Sequence, residues 1–178
     1  IHRQLPMAST TKIMTALLTL EQPNLQQEFT VDKTAIRVEG SSMGLRQGDT
    51  VTLYALAVGM LLASGNDAAG AAAERISGSM KAFVAEMNRR AASLGMNNTH
   101  FVTPSGLDAE EHYSTAYDMA LLARAALQNP LFAGIAASRR MTVSYGQPSY
   151  ARSLLNHNRL LSLYGCLLYT SDAADEAR

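Results

Sequence analysis

Two short stretches of this 178-residue sequence hold side chains suited to nucleophilic and acid–base chemistry. In Ser9-Thr10-Thr11-Lys12 a hydroxyl and an amine stand three positions apart, which on a helix places them on one face about a turn from each other. A lysine so placed can take the serine proton if burial or a neighbouring cation disfavours its own charge. The same four residues also fit a helix-capping serine beside a solvated lysine, and a Ser-x-x-Lys match arises by chance in about half of chains this long, both residues being common. In Ser64-Gly65-Asn66 a second hydroxyl and a carboxamide flank one glycine. There the hydroxyl would relay a proton from Lys12 to a departing amine while the Asn66 amide orients a substrate backbone. A turn followed by an Asn helix start reads equally well from those three residues alone.

The elements that must position these groups are mostly helical. Ser9 to Leu20 predicts a helix capped by Ser9, with Ile13, Leu17 and Leu20 at helical spacing and Pro23 beyond its end. Thr52 to Ala63 is apolar on nearly every face and Asn66 to Ile76 is rich in alanine, so two mutually buried helices are expected to meet at Ser64-Gly65. A third helix, Met80 to Leu94, carries Phe83, Met87 and Ala91 on one stripe and stops at Gly95. A fourth starts at Thr115 with Asp118 as capping-box partner and runs to Asn129-Pro130, followed by a turn or two over Leu131 to Ser138. Arg140 to Tyr145 alternates as a strand does, and Phe29 to Leu45, with Gly40 and Gly44, predicts short extended pieces joined by a turn.

Composition narrows the function classes. Fifteen basic and fifteen acidic residues cancel, leaving no broad basic field for nucleic acid or an anionic membrane surface. One cysteine, Cys166, and four scattered histidines give no structural metal spacing, so neither a metal nor a cofactor is expected. The most apolar run, Leu53 to Ala63, is 11 residues, short of the roughly 20 a membrane-spanning helix needs. The chain opens at Ile1 with nothing like a signal peptide, and its natural start is expected upstream. Residues 166–178 shift in composition and resemble a translated sequencing-library adapter. They are set apart from residues 1–165, expected to be a partial catalytic domain.

Six words, in order, carry a resemblance: Met7-Ala-Ser-Thr-Thr-Lys-Ile-Met-Thr-Ala16, Val38-Glu-Gly-Ser-Ser-Met43, Leu62-Ala-Ser-Gly-Asn-Asp-Ala-Ala69, Leu94-Gly-Met96 with Thr99-His-Phe101, Pro104-Ser-Gly-Leu-Asp108 and Ser114-Thr-Ala-Tyr-Asp-Met-Ala120. Together they resemble the low-molecular-mass serine D-alanyl-D-alanine carboxypeptidases, penicillin-binding enzymes of the serine β-lactamase and transpeptidase superfamily. The resemblance implies an α+β fold, an antiparallel sheet flanked by helices plus a helical subdomain, of which this chain would hold chiefly the helical part. It implies a nucleophile at Ser9, its base at Lys12, and a second element in Ser64 and Asn66, with Ser64 catalytic and Asn66 binding substrate. It further implies peptidoglycan stem peptides as substrate, covalent capture by β-lactams, and work outside the cytoplasm, any membrane anchor lying elsewhere.

The departure is the family's Lys-Thr-Gly strand, which should follow Leu155-Asn-His-Asn-Arg-Leu-Leu161 and is absent. That strand docks the substrate carboxylate and leads into the oxyanion hole, where one donor is worth roughly 10²–10³ in rate. The chain as written is therefore expected to be inactive, with at least one helix face left bare. Two alternatives stay open. A class A β-lactamase would need a glutamate where Ser153-Leu-Leu-Asn156 has serine, and a non-catalytic penicillin-binding scaffold would need none of the four polar groups.

Overall fold

Helices buried on every face sit at the centre of whatever forms around them. In the computed structural model, which describes residues 1–107, 109–158 and 161, this is what α1 (Lys12–Leu20) and α2 (Leu53–Ala63) do. Every residue of α1 is buried, as are Leu53 and Ala55 to Leu62 of α2. The two pack on each other, and α1 also touches α3 (Asn66–Ser77), α5 (Ala116–Gln128) and α6 (Pro130–Ala136). Outside α3 lies α4 (Met80–Ser93), which turns Phe83, Met87 and Ala91 inward as its spacing predicts.

Two antiparallel ribbons complete the described residues: β1 (Glu28–Thr30) with β2 (Thr50–Thr52), and β3 (Arg140–Tyr145) with β4 (Tyr150–Leu155). The second packs on α2, with Met141 opposite Leu154 and Tyr145 opposite Tyr150.

The Thr115 cap behaves as read, its Oγ1 accepting the Asp118 amide at 3.1 Å. Oγ1 of Thr52 and Oγ of Ser79 accept the amides of Ala55 and Ala82, also at 3.1 Å, and Asn129 caps α6 with Pro130 in its first turn, three caps that the sequence reading does not assign. Other local signals differ. Asp118 does not close a reciprocal capping box but accepts from the Asn98 amide and the Thr99 hydroxyl, both at 2.8 Å, because a buried carboxylate is better used tying down a neighbouring loop. The first helix opens as a 3-10 turn, Ala8–Thr11, and Ser9 lies inside that turn instead of capping it. Among the described residues, the exposed large apolar side chains on helices are Tyr117 and Leu127 of α5 and Leu131 of α6, with none on α1 to α4. No single helix among them is long and apolar enough to cross a bilayer. The expected adapter segment, residues 166–178, lies outside the described residues.

Gly70, inside α3, tests the tightness of this packing. Replacing a mid-helix glycine by alanine ordinarily stabilises by up to about 1 kcal/mol. Here a Cβ would overlap the carbonyl oxygen of the buried Ala35, a backbone atom with no rotamer to move. Gly70→Ala should therefore lower stability by about 1–3 kcal/mol, read as a lower urea midpoint. A higher midpoint would mean that the Ala35 segment yields.

Candidate active site

Lys12 opens α1 with its side chain entirely buried. Its Nζ donates to the Ser9 hydroxyl at 3.0 Å and to the Ser105 carbonyl at 2.7 Å. The 3-10 turn explains the first contact, because at three residues per turn side chains i and i+3 eclipse, so Ser9 stands directly over Lys12.

The second contact comes from segment 102–107, which is bound to the start of α1 at several points. The Thr15 hydroxyl donates to the Pro104 carbonyl at 2.6 Å. His112, buried behind the segment, accepts the Val102 amide at Nδ1 at 2.9 Å, so the neutral ring carries its proton on Nε2, which lies 2.8 Å from the Thr11 hydroxyl. Gly106 has φ +86°, and a Cβ there would overlap the Ala8 carbonyl. Ala8 is itself left-handed at φ 45°, a strained state for a non-glycine residue held next to Ser9.

Ser64 and Asn66 lie where the apolar run of α2 gives out. Ser64 ends α2 in the left-handed conformation (φ 53°, ψ 30°) and is buried. Asn66 begins α3, donating its amide to Ser41 O at 2.7 Å and Nδ2 to Glu39 O at 2.6 Å. Its buried Oδ1 is left with no hydrogen-bond partner. Residues 39–45 thus form a strap held against α3, and Gly40 (φ +86°) crosses so close that a Cβ would come within 2.8 Å of Asn66 Nδ2. On its far side the strap is held by the buried Tyr145, whose hydroxyl donates to Met43 O.

Ser9, Asn66, Gly40, Ser41 and residues 105–107 enclose a cleft of about 110 Å³. Larger hollows of about 320 Å³ beside β1 and 490 Å³ beside α4 hold no nucleophile–base pair, so chemistry and not volume identifies the site. The structure brings Ser9 and Lys12 together and places Asn66 across the cleft from them. Ser64 is not among the residues that line the cleft, and Lys12 is wholly buried and tied to Ser9 and Ser105. Ser105 escaped the sequence reading because it acts through a backbone oxygen, which no residue type announces. His112 and Asp67 escaped it too, although an acid in the first turn of a helix was a usable sign for the latter.

The profile of a D-alanyl-D-alanine carboxypeptidase family matches residues 1–168. The chain belongs to that family. The D-alanyl-D-alanine carboxypeptidase DacF of Bacillus subtilis is 38% identical over 175 residues, covering 92% of this chain and 43% of that protein. DacB2 of Mycobacterium tuberculosis is 37% identical over 161 residues, covering 89% of this chain and 54% of its own. Among solved structures, the Streptomyces K15 DD-transpeptidase superposes with a TM-score of 0.84 at 34% identity over 92% of this chain and 68% of that one. The fold is accordingly the α+β fold of the DD-peptidases, and the chain spans about half the length of the curated relatives it matches. Ser153 lies on β4 opposite Thr142, outside the cleft lining.

Burial pushes the Tyr145 phenol up to about 12, against the opposing pull of the Arg152 guanidinium. A folded value above the ordinary 10 means the folded chain keeps a proton that the unfolded chain sheds, so the stabilisation is complete below pH 10 and is lost as the pH climbs through about 12. Unfolding midpoints should fall over that interval, and Tyr145→Phe should make the fall shallower. Equal slopes for the two proteins would show that Tyr145 does not set the alkaline limit.

Proposed function

We propose that residues 1–165 carry the nucleophilic half of a serine-type D-Ala-D-Ala carboxypeptidase within a longer catalytic domain, and that residues 166–178 are adapter-derived. The observation that supports it most directly is the wholly buried Lys12 Nζ, 3.0 Å from Ser9 Oγ. In the neutral amine form Lys12 takes the Ser9 proton as Oγ attacks the carbonyl between the two terminal D-alanines of a peptidoglycan stem peptide. The Ser105 carbonyl keeps one Nζ hydrogen and with it the position of the nitrogen. Lys12 then gives the proton to the departing nitrogen, D-alanine leaves, and water hydrolyses the Ser9 ester; Ser64, which does not line the cleft of the free protein, is proposed as the relay for that proton. Asn66 orients the substrate backbone, its free Oδ1 offering an acceptor beside the cleft. β-Lactams, which imitate the terminal dipeptide, acylate the same oxygen. Substrate and inhibitor place the enzyme outside the cytoplasm, with no nucleic acid, metal or cofactor in the reaction.

The 178 residues include no Lys-Thr-Gly, so the reading is tested in a longer chain that carries residues 1–165 followed by that strand. A fluorescent penicillin should label it at Ser9, and nitrocefin should acylate it once without rapid turnover. Label elsewhere than Ser9 would sink the assignment, and fast nitrocefin turnover would favour a lactamase. Lys12→Arg should slow acylation by several orders of magnitude, because a guanidinium stays charged and accepts no proton. Acylation at the parent rate would reassign the base.

Ser64→Ala leaves the ester-forming oxygen in place and removes only the relay, a general-acid contribution of roughly 10²–10⁴. Labelling should become slow but still reach completion, and D-alanine release should fall at least as far. Parent-rate labelling with normal release would reduce Ser64-Gly65-Asn66 to a turn.

A further inference from the structure

Asp67 is a buried acid that the proposed mechanism does not use. Its Oδ2 accepts the Ser42 hydroxyl at 2.6 Å and the amides of Gly44 and Leu45 at 3.0 and 2.9 Å, while Oδ1 accepts the Met43 amide and its own neighbour Ala68, both at 2.9 Å. Four donors thus come from four consecutive residues of the strap. Three of them are backbone amides, of which those of Met43 and Leu45 are buried and that of Gly44 is shared with the Ser42 hydroxyl at 2.8 Å. The same strap supplies both acceptors that fix Asn66, namely Ser41 O and Glu39 O. Gly65, between Ser64 and Asn66, leaves room for this: a Cβ there would lie 2.9 Å from Asp67 Oδ1 and 3.1 Å from the Met43 nitrogen. The order of contacts is therefore Asp67 to residues 42–45, residues 39–41 to Asn66, and Asn66 with Gly40 and Ser41 to the wall of the cleft facing Ser9.

We propose that Asp67 is a positioning residue for the Ser9 reaction, holding the strap so that the strap in turn fixes the Asn66 carboxamide and the cleft wall. This deepens the carboxypeptidase reading and rests on it. Asp67 touches no substrate; it acts through residues 39–45. An isosteric amide cannot replace it, because Asp67→Asn leaves one oxygen for donors that need two and turns an NH₂ toward backbone N–H groups.

The test is a double-mutant cycle of Asp67→Asn with Asn66→Ala in the longer, Lys-Thr-Gly-bearing chain, reading the acylation rate constant and the half-saturating penicillin concentration under conditions where all variants are folded by circular dichroism. If Asp67 acts through Asn66, Asp67→Asn alone should weaken penicillin capture about tenfold or more, yet change it less than about twofold when Asn66 is already alanine. Equal losses in both backgrounds would make Asp67 a general stability residue and overturn the proposal. In the 178-residue chain itself, amide exchange at Met43, Gly44 and Leu45 should rise at least about tenfold in Asp67→Asn, with the core of α1 unaffected. Unchanged exchange there overturns the proposal whatever the acylation data say. Should Asp67→Asn fail to fold, Ser42→Ala removes a single donor and should give a smaller loss with the same non-additivity toward Asn66→Ala; additive loss counts against the proposal equally. A parent chain that takes no label at Ser9 refutes the carboxypeptidase reading, whereas the exchange measurement still decides whether Asp67 holds the strap.

Discussion

The lysine nitrogen buried at the start of α1 is the constraint around which the rest is arranged. A charged or chargeable nitrogen removed from water must have its donors satisfied, and hydrogen bonds to such groups are worth about 1.5–3 kcal/mol each while a missing one costs as much. Lys12 meets this demand with one side-chain oxygen from its own turn and one carbonyl from segment 102–107. The Ser105 oxygen can be there only because the chain folds back over α1, and the Gly106 backbone can lie on Ala8 only because glycine has no Cβ. The proposed nucleophile–base geometry and tertiary closure are in this sense the same contact.

That closure is distributed along α1. Its inward polar residues, Lys12 and Thr15, reach two successive carbonyls of the returning segment, and Thr11, just before the helix, meets His112, which holds the Val102 amide. Thr19 turns its hydroxyl back to the Thr15 carbonyl. A helix buried on every face normally carries no polar side chains. Here the polar ones are hydroxyls and one amine, all of which can be satisfied by backbone oxygens.

The opposite wall of the cleft is built differently. Residues 39–45 have no regular structure of their own and are kept in place by side chains from α3 and by Tyr145. One wall is therefore a helix start sealed by backbone carbonyls, the other an irregular strap sealed by a carboxylate and a carboxamide. Membership of the carboxypeptidase family makes this asymmetry meaningful. A serine acyl-transferase needs a rigid nucleophile–base pair on one side and an adaptable but defined surface for the substrate backbone on the other.

The sequence by itself determined the helices and the chemistry along them. Apolar spacing, Thr and Ser caps and the breaks at Gly65 and Pro130 are local signals, and α2 to α6 lie where those signals put them within a residue or two. Ser9 and Lys12 were legible as a pair because three residues of helix bring them together without help from the rest of the chain. Of the strands, β3 lies where its alternation put it, Arg140–Tyr145, and the other three were not legible. β1 and β2 have three residues each, and β4 buries only Leu154, so no alternation marks it. Nor was the 3-10 opening of the first helix, which begins at Ala8 in a left-handed state. Only the tertiary structure decided that Asn66 lines one cleft with Ser9, that Ser64 does not, and that Ser105, His112 and Asp67 hold the segments around it. Asp67 is 22 residues from Leu45, Ser105 is 93 from Lys12 and His112 is 101 from Thr11, and these contacts run through backbone atoms as often as through side chains. A residue type states what a side chain can do. Which distant carbonyl or amide it will meet is set by packing, and packing belongs to the whole chain.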